Sequence, residues 1–106
     1  MRDIEIREAY WRQKFSEAIR KGEEAIKDHP GCLESEEGIS AMMGISIIIY
    51  LESSEEAEQK MVDRVVTQVT NTSKIPKAAL QACVELYQSM RELRKIHKVR
   101  AERGEN

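Results

Sequence analysis

At 106 residues and 12.2 kDa the chain has room for one domain with a thin core. Charged residues make up 34% and aromatics 5%, with two prolines and five glycines, which favours helices and excludes a many-turned sandwich or barrel. A net charge of -2 excludes little by itself, whereas two cysteines are too few for a disulfide scaffold, so reduced thiols in a cytoplasmic protein are expected. The amino terminus, Met-Arg-Asp-Ile-Glu-Ile-Arg-Glu, is charged where a secretory leader needs an apolar run.

Residues 3–28 predict an amphipathic helix. Ile4, Trp11, Phe15, Ala18, Gly22 and Ala25 recur at three- and four-residue steps, and Ile19 and Ile26 widen the stripe. Glu8/Arg12, Glu17/Lys21 and Glu23/Lys27 form acid-to-base pairs four residues apart on the wet side. His29-Pro30-Gly31 then breaks the pattern, because proline drives its predecessor away from helix and glycine favours a turn.

A second helix is predicted over 36–52, with Ser35 as its cap and Glu36 and Glu37 in its positive first turn. It carries residues 38–51, Gly-Ile-Ser-Ala-Met-Met-Gly-Ile-Ser-Ile-Ile-Ile-Tyr-Leu, without a charge. Those 14 residues fall short of the roughly 20 needed to span a bilayer, so they are expected to be core or interface. Residues 45–51 are β-branched enough to pass for a buried strand. No other segment offers that strand a partner, and its backbone groups would go unpaired, so helix is the reading. The segment is expected to be the central buried helix, with Ser40, Ala41 and Gly44 as close-packing positions.

The run Glu52-Ser53-Ser54-Glu55-Glu56 interrupts the apolar stretch, and Ser53 with Glu56 fits a capping box. A third helix over 54–70 follows, its stripe formed by Met61/Val62, Val65/Val66 and Val69. Pro76 suits the first turn of a fourth helix over 76–103. There Ala79, Cys83, Leu86, Met90, Leu93 and His97 follow alternating four- and three-residue steps of coiled-coil type. Leu80, Val84 and Tyr87 widen that seam, and Ile96 and Val99 continue an apolar edge. Such a helix is about 40 Å long, whereas a compact chain of this size has a radius of gyration near 13 Å. Its last turns are therefore expected to project or to pack on another subunit, with Leu86, Met90 and Leu93 as self-association residues.

Charge is unevenly placed. Residues 33–63 hold eight acids against Lys60 alone, and residues 91–103 hold six bases, Arg91, Arg94, Lys95, Lys98, Arg100 and Arg103, against Glu92 and Glu102. Acidic middle and basic end are suited to attract each other within or between chains. The six bases are also the candidate site for an anionic partner such as nucleic acid, although no aromatics interleave with them for base stacking.

Motifs for chemistry are sparse. His29-x-x-Cys32 with Glu34 falls short of the three or four convergent donors of a metal site, because Cys83 and His97 lie elsewhere on a long helix. Neither histidine has a Glu three positions before it, as a helical di-iron site requires. Glu5-x-x-Glu8 and Glu52-x-x-Glu55 resemble the carboxylate pairs with which all-helical nucleotide pyrophosphatases hold magnesium, but the second helix bearing Glu-x-x-Asp is missing. There is no glycine-rich phosphate loop and no nucleophile motif. Met42, Met43, Met61 and Met90 read as core filler.

The expectation is a single all-α domain of three to four helices in an antiparallel bundle, with a long charged C-terminal helix, assembling as a homo-oligomer. Its expected function is non-catalytic: a regulator, inhibitor or adaptor acting through protein–protein contacts, with no cofactor and no membrane. Two other classes remain: a nucleic-acid-binding regulator using the basic helix, and a helical oligomer that holds a small ligand near Tyr50, Ser46 and the methionines.

Overall fold

A single hydroxyl joins the first half of the chain to the second. Ser35 Oγ accepts a hydrogen bond from the Gly38 amide at 3.1 Å and donates one to the Cys32 carbonyl at 2.6 Å. It thereby caps the uncharged helix and closes the turn before it. The computed structural model describes residues 2–104 and places four helices there: α1 (Arg2–Ala25), α2 (Glu36–Leu51), α3 (Glu55–Thr72) and α4 (Lys77–Glu102). A 3₁₀ turn, Cys32–Glu34, precedes α2, and the described residues contain no strand. The isoleucine-rich 45–51 segment is therefore helix, as the lack of a partner strand requires.

The ends of the elements differ from the periodicity by a few residues, each with a local cause. α1 stops at Ala25; a turn carrying Gly31 at φ +79° then redirects the chain, a left-handed conformation that glycine adopts without steric penalty. The cap of α3 is Ser54, whose side chain accepts from the Ala57 amide at 3.3 Å, not Ser53. The Ser53 amide donates to the Glu52 carboxylate instead, at 3.2 Å. α3 runs on to Thr72, and Ser73 Oγ closes it by donating to the Val69 carbonyl at 2.6 Å.

The core gathers Ala41, Ile45 and Ile49 of α2, Val62 and Val66 of α3, Ile75, and Ala79 and Leu80 of α4. α1 packs along α4 instead. The Lys21–Glu85 ion pair at 3.5 Å and the Arg100–Glu8 hydrogen bond at 2.8 Å give the two helices opposite senses. Between them, a β-carbon on Gly22 would lie 3.5 Å from that of Ala82, an ordinary packing distance. The long α1–α4 pair fits an elongated body, 46 × 28 × 19 Å, with a radius of gyration of 15.2 Å.

The first two positions of the expected α4 seam, Ala79 and Cys83, are buried together with Leu80 and Ala82. Beyond them the buried positions are Ser89 and Ile96, one residue before the Met90 and His97 that the sequence pattern pointed to. Leu86 and Leu93 fall between these positions and are half-buried, while Met90 and His97 are exposed. Ser89 takes the seam because it is small, and its hydroxyl is satisfied by donating to the Glu85 carbonyl at 2.7 Å. The last turns of α4 do not project either. They lie against the first turns of α1 through Arg100 and Glu8.

Candidate functional site

α2 has two faces of similar chemistry and opposite fates. Ile45 and Ile49 on the inner face are 0% exposed. On the outer face Ile39, Met43, Ile47 and Leu51 are 47%, 59%, 53% and 79% exposed. Four-residue steps put these side chains in one ridge along the helix. Ser40 and Gly44 lie in the next row, also at a four-residue step. A β-carbon on Gly44 would meet nothing within 4 Å, and Ser40 is exposed. Of the three expected close-packing positions only Ala41 is buried. The tight glycine is Gly38, whose missing side chain makes room for the Cys32 carbonyl and the Leu33 backbone.

Connectivity explains the exposure. α2 touches α3, α4 and its own preceding turn, all on one side, and makes no comparable contact with α1. Because α1 packs on α4, no described helix covers the outer face of α2. Other large apolar side chains are exposed outside α2: Ile6 and Tyr10, four residues apart on α1, with the Lys14 ammonium 5.6 Å from the Tyr10 ring centre, and Ile19, Met61 and Met90.

At the carboxyl end of α2 lies a polar network. Glu58, 5% exposed, pairs with Arg91 and accepts from Gln88 Nε2 at 2.8 Å. Arg91 also donates to the Ile49 carbonyl at 2.9 Å and to Glu92 at 3.1 Å. Burial alone would lower the pKa of Arg91, but its hydrogen bonds to Glu58 and Glu92 outweigh this and hold it above the ordinary value. The Ile49 carbonyl belongs to the last turn of α2, where helix carbonyls lack partners and a cation is favoured. Arg91 is thus a strut joining α2, α3 and α4. Sequence reading did not single out Glu58, although the acidic-middle, basic-end contrast held its signal.

The other expected anion-binding residues divide. Arg94 stacks over the Tyr50 ring, its guanidinium 5.1 Å from the centre. Lys95 pairs with Glu92 at 3.2 Å and Arg100 with Glu8 at 2.8 Å. Lys98 and Arg103 have no ion pair among the described residues. A cavity of about 640 Å³ adjoins the network, lined by Trp11, Tyr50, Glu52, Arg91 and Arg94 among others. The Tyr50 hydroxyl is buried without a hydrogen-bond partner. A larger groove of about 820 Å³ lies between α1, α3 and α4, with Val62, Val66 and Ala82 in its lining and Arg20, Glu24 and Asp63 among its charges.

Among the described residues no group of three or more His, Cys, Asp or Glu is arranged to hold a metal ion. Cys83 is buried, its thiol pushed up by burial and then by Cys32, while Cys32 is half-buried. No described helix is long and apolar enough to cross a membrane. No family model, curated protein or solved structure matches this chain.

Proposed function

We propose that this chain is a non-catalytic helical binding protein of the cytoplasm, acting as a regulator, inhibitor or adaptor through protein–protein contacts made by the outer face of α2. One observation carries the reading: Ile39, Met43, Ile47 and Leu51 form an exposed ridge on a helix whose residues 38–51 hold no charge. A helix that is apolar all round is normally buried on all sides, and a contiguous apolar patch on a small protein marks an interaction surface. The basic helix supports nucleic-acid binding less well, because Arg91, Lys95 and Arg100 already face carboxylates.

The test places a benzoylphenylalanine photo-crosslinker at position 47 and, in a second protein, at exposed Lys60 on α3. Irradiated in extract of the native host, position 47 is expected to give discrete protein adducts and position 60 none. Absence of adducts from position 47, or equal adducts from both, overturns the reading.

A second reading, a helical oligomer holding a small ligand, is favoured by the unpartnered Tyr50 hydroxyl beside the 640 Å³ cavity. Such a ligand would shift the fluorescence of Trp11, the only tryptophan. Unchanged emission after exhaustive dialysis or unfolding and refolding of protein from its host would count against it.

A further inference from the structure

We draw no further inference here: the strongest candidate, the groove of about 820 Å³ between α1, α3 and α4, carries three bases and three acids in its lining, so its charge selects no ligand, and nothing in the structure shows what covers it.

Discussion

The seam between α1 and α4 and the outer face of α2 are built from the same materials. Each has large apolar side chains at helical spacing beside small ones: Ala18, Gly22, Ala82 and Ser89 in the seam, Ser40 and Gly44 on α2. The seam is closed by the chain itself and flanked by charge pairs, Lys21 with Glu85 and Glu8 with Arg100. The α2 face has neither a covering helix nor flanking pairs along its length. Periodicity therefore reveals that a face is apolar, while connectivity decides whether the chain can reach back to cover it. Two long helices cover each other; a helix of 16 residues held on one side keeps its other side open.

The sharpest break between inner and outer faces comes from two aspartates. Ile45→Asp buries an unpaired carboxylate at a position that is 0% exposed. It should remove on the order of 4–5 kcal/mol, most of the stability of a domain this size. Ile47→Asp, two residues away, should leave the isolated chain within about 0.5 kcal/mol of wild type. Urea unfolding followed by circular dichroism measures both. Equal losses would mean that the outer face is covered after all.

Two arginines sharpen the same contrast at the end of α2. Arg91→Met leaves Glu58 with Gln88 alone and takes the donor from the Ile49 carbonyl. Breaking a buried pair costs about 3–5 kcal/mol, and because the Arg91 side chain is 22% exposed the lower end, about 3 kcal/mol, is expected. Arg94→Met loses a contact with the Tyr50 ring on an exposed side chain, about 0.5 kcal/mol. Similar losses would show that Arg91 is not a strut.

The helices themselves were legible in the sequence, since their stripes, the Ser35 cap and the break at Pro30-Gly31 all follow from local chemistry. What was not legible depended on which side of each stripe met another helix. Met90 outranks Ser89 as an apolar residue, yet the seam needs a small side chain, and a serine bonding back to its own helix at Glu85 serves as one. Gly38 and Gly44 look alike in sequence; only the returning turn at Cys32 and Leu33 makes one of them indispensable. Ser53 and Ser54 are equally good caps on paper, and the geometry of the α2–α3 connection selects the second. The candidate interface was visible as an uncharged segment, but whether it was core or surface was not.

Those two glycines give a smaller effect with opposite signs. A β-carbon at Gly38 would overlap the Cys32 carbonyl and come within 2.7 Å of Leu33 backbone atoms, which do not move aside as a flexible side chain would. Gly38→Ala should therefore lower stability by about 2 kcal/mol. Gly44→Ala meets nothing and gains helix propensity, so the isolated chain should become more stable by up to about 1 kcal/mol. A loss of stability for Gly44→Ala in dilute solution would contradict an open outer face.

The smallest expected effect is a pH dependence confined to the inner side. Burial, and then Cys32, raises the Cys83 pKa above its ordinary 9.0; Tyr87 is raised by burial, then by Cys83 and Tyr50. With the folded value above the unfolded one, the thiol's contribution is fully present below about pH 9. It is lost as pH climbs, because the unfolded chain releases the proton that the folded chain retains. Melting temperature should accordingly fall between pH 8 and pH 10.5, and Cys83→Ala should flatten part of that fall while Ile47→Ala leaves its shape unchanged. The reading is taken from the difference between profiles, so any constant loss from truncating the buried thiol cancels. Superimposable slopes for wild type and Cys83→Ala would show that the thiol ionises as readily folded as unfolded, and that the inner side is wetter than its packing implies.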